Sequence, residues 1–199
     1  MMEALFWQTL KHLQTQFTGF GPAGRYRGLP RRFKRAVHAI YSTTIALVAN
    51  CMDWAKHRRR KAAAKMHLRL NLQTFLPGFA VIEEASHHDN IRMIAVCAGL
   101  QAGEIAVFDK AYVHFEHLFE LTCRGVFWVT RAKDNMAYHV CRKRLRRPRG
   151  PVLRDDEITL TVPSSRKQYP QRLRRIEAEV EIQGEMVGMV FITNNFFLD

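Results

Sequence analysis

Between Met66 and Gln73 the chain alternates strictly, Met66, Leu68, Leu70 and Leu72 against His67, Arg69, Asn71 and Gln73. A side-chain period of two marks a half-buried strand, so the apolar set is expected to face a core and the polar set water. Pro77 and Gly78 predict a turn, and residues 79–85 return as the partner strand of a hairpin. Upstream, Leu5, Phe6, Leu10, Leu13 and Phe17 fit one face of a helix over residues 2–17, and residues 36–47 form a β-favourable run. Downstream, Asp89 or Asn90 offers an N-cap for a helix with Ile91, Ile94, Ala95 and Ala98 at helical spacing and Gly99 near its end. An apolar run then leads to Asp109. A second helix follows, with Phe115, Leu118, Phe119 and Thr122 on one face, and it stops at Gly125 before an aromatic strand, Val-Phe-Trp-Val-Thr.

The predicted order is helix, three strands, helix, strand, helix, strand: a mixed α/β sheet of three antiparallel strands extended by parallel ones through helical crossovers. From about residue 134 short alternating strands and turn residues predict a β-rich insertion with no helix. Its best-marked hairpin turns at Gln183 and Gly184. The implied organisation is an N-terminal helix and linker over 1–30, a core over 31–133 and the insertion over 134–199. The glycine-rich loop after the first helix has neither phosphate-loop spacing and reads as a connector.

Charge changes the picture. Lys and Arg number 31 against 18 Asp and Glu, a formal net charge of +13. Such a surplus accumulates polyanions through counterion release, which makes nucleic acid the leading partner, against a merely solvated basic surface. The densest run is Lys56, His57, Arg58, Arg59, Arg60 and Lys61; Arg25 to Arg35 and Arg142 to Arg149 are further basic stretches. Four separated cysteines, Cys51, Cys97, Cys123 and Cys141, make no CxxC pair and support neither a disulfide framework nor a zinc site. With no signal-like N-terminus and no apolar run near membrane length, a soluble intracellular protein is expected, with no membrane partner.

Asp109, at the tip of its strand in Val-Phe-Asp-Lys-Ala-Tyr, is either a cap for the next helix or half of a charged site. Clustered carboxylates suit hard oxygen-preferring cations, and two such ions about 4 Å apart polarise attacking and leaving oxygens in phosphodiester chemistry. Asp53, Glu83 and Glu84 are candidates to help, though loop or surface acids are the simpler reading. His87 and His88 beside Asp89 read as helix capping, and His114 and His117 as ordinary surface, because no second ligand pair or HExxH pattern accompanies them. Trp54, Tyr112 and Trp128 offer stacking faces, with core packing the simpler role for Trp128. Ser42, Thr43 and Thr44 lack an activating partner and read as strand residues of the core.

Three stretches, residues 49–90, 107–135 and 169–181, carry a resemblance to the DDE-type transposases of bacterial insertion sequences, in the IS-four-like group with a ribonuclease-H-like catalytic domain. The resemblance runs over nearly the whole chain. It implies DNA cleavage and strand transfer with Mg²⁺ or Mn²⁺, with Asp109 as the second catalytic aspartate and a metal ligand. The family's first aspartate precedes Ser-Thr-Thr, and Tyr41 stands there instead. A phenol, with a pKa of about 10 against about 4, is a poor metal ligand in its place. The third acid belongs to a helix beyond the insertion, which the chain is expected to lack, so strand transfer by this polypeptide alone is not expected. The resemblance also implies that Arg131 and Lys133 face DNA, that Lys56, Arg58, Arg59, Arg60 and Lys61 lie near the active face, and that Tyr112 supports the site. Insertion-sequence ends and target DNA are the implied partners, with a second copy or an intact transposase as a further one. The implied setting is the bacterial cytoplasm and nucleoid. A non-catalytic DNA-binding or inhibitory fragment and a pseudogene product remain the alternative readings.

Overall fold

The computed structural model describes residues 2–16, 34–46, 56–57, 61–84, 89–144 and 150–197, and these fall into two compact units, 1–100 and 101–199. The first unit opens with helix α1 (Met2–Gln16), followed by β1 (Val37–Ala46), the short β2 (Lys56–His57), β3 (Lys61–Asn71), β4 (Pro77–Glu84) and α2 (Asp89–Cys97). β3 lies between β1 and β4, antiparallel to both, with Tyr41 opposite Leu68 and Leu68 opposite Ala80. Within the densest basic run, Lys56 lies opposite Ala62 and His57 opposite Lys61.

The turn between β3 and β4 is not at Pro77 and Gly78. Asn71 makes it: its Oδ1 accepts from Gln73 N (2.8 Å) and Thr74 N (3.3 Å), and its carbonyl accepts from Phe75 N. Phe75 takes a positive φ of 55°, while Pro77 opens β4, the one strand position where a missing N–H costs little.

The alternation along β3 has its period right and its faces reversed. His67 and Arg69 are buried, at 0% and 9% exposure, whereas Leu68 and Leu70 are only half-buried. The reason is hydrogen bonding: Arg69 Nη1 donates to the Val96 carbonyl near the end of α2 (3.0 Å) and Nη2 to the Gly78 carbonyl (3.2 Å). A cation there answers unpaired carbonyls of the last helical turn and the negative end of the helix dipole. Gly78 and Gly99 leave room for it, since a Cβ on Gly99 would lie 2.9 Å from Arg69 Nη2. Beside it His67 Nε2 meets Glu83 Oε1 at 3.1 Å, and Arg92 holds the other oxygen of Glu83. The buried stripe of α2 is Met93, Val96 and Cys97, continued by Leu100, rather than the predicted set: Ile94 is 49% exposed. That i, i+3, i+4, i+7 spacing is the better amphipathic face.

The second unit contains β5 (Ile105–Phe108), α3 (Phe115–Cys123), β6 (Phe127–Arg131), β7 (Tyr138–Lys143), β8 (Val152–Leu160), α4 (Pro163–Gln168), β9 (Leu173–Ile182) and β10 (Glu185–Thr193). β5 and β6 are parallel, joined through α3, and the sheet continues β10, β9, β8, β7 in antiparallel order. The mixed α/β class is therefore as expected. The insertion does hold a helix: Pro163 opens α4, where its missing N–H is harmless. The β9–β10 turn falls at Gln183 and Gly184, both with positive φ (53° and 87°), the requirement of a two-residue type I′ hairpin.

The core of this unit is aromatic and wired. Trp128 is fully buried, 6.5 Å from Phe108 and edge-on to Tyr169 at 5.9 Å. Thr122 Oγ1 lies within hydrogen-bond reach of Trp128 Nε1 (3.0 Å), Tyr169 Oη (2.9 Å), Asn194 Nδ2 (3.1 Å) and the Leu118 carbonyl (2.9 Å). That is more partners than one proton and two lone pairs serve at once. On β8 and β9, Arg174 grips Asp155 with two bonds, Nε to Oδ1 (3.0 Å) and Nη2 to Oδ2 (2.7 Å), both side chains nearly out of water. Glu157 receives Arg172 at 3.3 Å and Arg144 at 3.5 Å.

Candidate functional site

Asp109 follows directly on β5, whose Ile105, Ala106 and Phe108 are buried and fix the strand end. Its backbone is extended (φ −70°, ψ 157°) and its Oδ1 accepts from Ala111 N at 3.0 Å. The aspartate thus caps a single 3-10 turn, Lys110–Tyr112. Among the described residues Oδ2 has no hydrogen-bond partner, so capping uses one oxygen and leaves the other available. Tyr112, expected to support the site, is buried and edge-on to Phe108 at 6.5 Å; it locks the turn to the strand and leaves no face for a base.

An open depression of about 520 Å³ surrounds the carboxylate, lined by Asp109, Lys110, Ala111, Lys133, Asp134 and Asn135. Lys110 Nζ donates to Asp134 Oδ2 at 2.9 Å, and that hydrogen bond and positive charge hold the Asp134 carboxyl below the usual range. Lys133 Nζ donates to the Val113 carbonyl at 3.0 Å, which tethers the segment after β6 to the segment after Asp109. Arg131, at the end of β6, is exposed. Asp109, Lys133 and Asn135 therefore share one rim, as the sequence spacing of Asp109 and Lys133 did not by itself require.

The other expected residues belong to the first unit. Tyr41 lies mid-β1 at 39% exposure, and Ser42, Thr43 and Thr44 follow it in the strand, with Thr43 and Thr44 exposed rather than in a core. Lys56 and Lys61 are placed by their backbones at paired strand ends, while Arg58, Arg59 and Arg60 lie outside the described residues, as do Asp53, Trp54, His87 and His88. Glu83 is taken by His67 and Arg92 and offers no free carboxylate for a metal. His114 and His117 stack with ring centroids 4.4 Å apart. Trp128 is core, as the simpler reading held, and gives no stacking face.

Sequence reasoning missed the support behind the site. Asn194 Oδ1 accepts from Trp128 N (2.9 Å), its Nδ2 donates to the Val126 carbonyl (2.9 Å), and Thr193 Oγ1 donates to the Trp128 carbonyl (2.5 Å). These bonds fix β6 from the far end of the sequence. Burial pushes the Tyr169 hydroxyl up to about 12. The only hint was composition: a tyrosine and an asparagine, each needing a partner when buried, near apolar runs.

A strand-end aspartate with one free oxygen thus lies beside Lys110 and Lys133 at the rim of an open depression. The profile of the Transposase DDE domain family matches residues 32–176, and the chain belongs to that family. The chain is 27% identical over 157 residues to a protein of Sinorhizobium fredii named as transposase y4zB, covering 77% of this chain and 44% of that one. It is 29% identical over 111 residues to a protein of Geobacillus stearothermophilus named as the transposase for insertion sequence element IS5377, covering 54% of this chain and 28% of that one. The chain thus spans less than half the length of these relatives. A cryo-EM structure of the piggyBac transposase synaptic complex with hairpin DNA is similar over 81% of this chain and 33% of that one, at 8% identity and a TM-score of 0.44. Among the described residues no helix is long and apolar enough to cross a membrane.

Proposed function

We propose that this chain is the catalytic-domain portion of an insertion-sequence transposase, with a ribonuclease-H-like core, that binds DNA but does not by itself carry out strand transfer. The reading rests on Tyr41, which pairs with Leu68 and stands where the resemblance puts the family's first acid, and on Asp109 as the one available carboxylate among the described residues lining the depression. The family's chemistry uses divalent metal ions. The residues here do not fit a pair of them: Asp134 is held by Lys110, Glu83 by His67 and Arg92, and no group of three potential ligands occurs among the described residues. One free carboxylate oxygen beside two lysines can hold a hydrated Mg²⁺ or Mn²⁺ only weakly.

DNA contact does not depend on the missing acid. Arg131, Lys133 and the run Lys56, Arg58, Arg59, Arg60 and Lys61 supply cations to phosphates on a chain of net charge +13. Such contacts position a duplex without reading bases. Bacterial cytoplasm, with its nucleoid DNA, is the setting this reading requires, and interference with an intact transposase is its regulatory corollary.

Two measurements test the proposal. Binding of the purified chain to a random-sequence duplex should fall steeply between 50 and 200 mM salt, by about 10³-fold if six or so phosphates are neutralised. Salt-independent binding, or none, overturns the DNA reading. Mn²⁺ titration followed by electron paramagnetic resonance should show weak binding that tightens at least tenfold in Tyr41→Asp and is lost in Asp109→Asn. Joining of a cut end to a target duplex by the unaltered chain sinks the claim of catalytic silence.

A further inference from the structure

A second cavity, of about 350 Å³, lies within the unit 101–199, between the start of α3, the end of β8 and α4. Its apolar wall is Phe115, Met136, Leu160 and Val162. Protein interiors are close-packed, and a void forfeits the contacts of its lining, so a gap of this size is kept open at a cost. The volume is at the small end of the roughly 300–1,000 Å³ of ligand pockets.

Polar groups converge on the same space with bonds left to make. Lys133 Nζ gives one hydrogen to the carbonyl of Val113, itself part of the wall, at 3.0 Å. That bond fixes the ammonium at the cavity and leaves its other two hydrogens to give. Ser165 and Gln168 line the cavity from α4, and among the described residues their side chains make no hydrogen bond. His114 lines it at the N-cap of α3 without a capping bond, and its Nδ1 is buried with no partner. An orphaned buried N–H is avoided more strictly than an orphaned lone pair, so the proton belongs on Nε2 and His114 is a further donor. Among the described residues no carboxylate lines the cavity, and Lys133 is its one permanent charge.

We propose that this cavity binds a small aromatic carboxylic acid, with its ring against Phe115 and Met136 and its carboxylate on Lys133 among the donors of His114, Ser165 and Gln168. Each of these groups then gains the partner it lacks. A flat ring suits the wall because a phenylalanine face and a methionine thioether both pack favourably on aromatic surface. An acid suits the head of the cavity because an ammonium bonds a carboxylate roughly twice as strongly as two neutral groups bond each other. An amine would bring a second cation to Lys133 with no acid to answer it, and a bare inorganic anion would leave the apolar wall uncovered. The inference uses neither Tyr41 nor Asp109 and stands whether or not the chain binds DNA.

Isothermal titration of the whole chain with indole-3-acetate should show one saturable site, half-filled at or below about 1 mM, the range that ligand efficiency sets for so few atoms. Indole-3-acetamide, of the same shape without the charge, should bind at least tenfold more weakly, and equimolar inorganic phosphate should not displace the acid. Lys133→Met should reduce the acid to the amide's affinity and no further, whereas a loosened wall would weaken both. Ala137→Trp, from the cavity lining, should abolish binding by filling the space. Should that variant fail to fold, Ser165→Phe fills the same space from α4, a helix with no buried residue. Absence of saturable binding overturns the proposal, as does equal affinity for acid and amide or an unchanged affinity in Lys133→Met. Binding that phosphate displaces, or that survives the filled cavity, puts the acid on the basic surface instead and overturns it equally.

Discussion

Both units bury an arginine on a central strand, and they satisfy it in opposite ways. Arg69 donates to two neutral carbonyls, those of Val96 and Gly78, whereas Arg174 donates two bonds to the charged Asp155. The difference lies in what remains when one partner is removed. Without Arg69, the Val96 and Gly78 carbonyls lose a donor; without Asp155, the buried Arg174 guanidinium loses the carboxylate that takes two of its bonds. Unpaired charge costs more than an unpaired dipole, so the second unit's ion pair is the more brittle arrangement although it looks the stronger.

The largest effect should therefore come from Asp155→Ala, a loss of about 3–5 kcal/mol in urea unfolding, while replacement of both Asp155 and Arg174 by apolar residues of similar volume should recover most of it. Arg69→Met should cost less, about 1.5–3 kcal/mol, and equal losses from the two single changes would erase the contrast. Thr122→Val, which keeps the shape and removes the hydroxyl shared by Trp128, Tyr169 and Asn194, should cost about 1–3 kcal/mol and shift the tryptophan emission. Smaller still is an alkaline effect. Burial pushes the Tyr169 hydroxyl from its ordinary 10.0 up to about 12, so its contribution to stability is complete below pH 10 and is lost as pH rises toward 12. Tyr169→Phe should flatten melting temperature against pH in that window and nowhere else. Asp134→Asn, which removes an exposed pair with Lys110, should leave the melting midpoint unmoved, and a clear drop would mean that the depression is more rigid than its exposure implies.

How much of this was legible depended on whether a signal was local. The element order, the strand ending at Asp109 and the Gln183–Gly184 turn follow from period, breakers and turn chemistry, all carried within a few residues. The faces of β3 were not legible, because period alone does not say which side a helix covers, and Arg69 belongs inside only once α2 presents its last carbonyls. The helix α4 escaped notice because Pro-Ser-Ser-Arg-Lys-Gln has no apolar stripe, and none of its residues is buried. At the site, Asp109 and Lys133 were readable from the family pattern. The Lys110–Asp134 bond was not, since those partners stand 24 residues apart and meet only through the fold.

The pocket that Gly78 and Gly99 leave for Arg69 makes three positions answer to one another. Adding a single methyl group at position 99 would make a guanidinium 30 residues away in sequence shift, straining its bonds to a helix end and to a strand together. Drift at this spot should therefore come in sets: a relative with a larger residue at either glycine should show a shorter, uncharged one in place of the arginine.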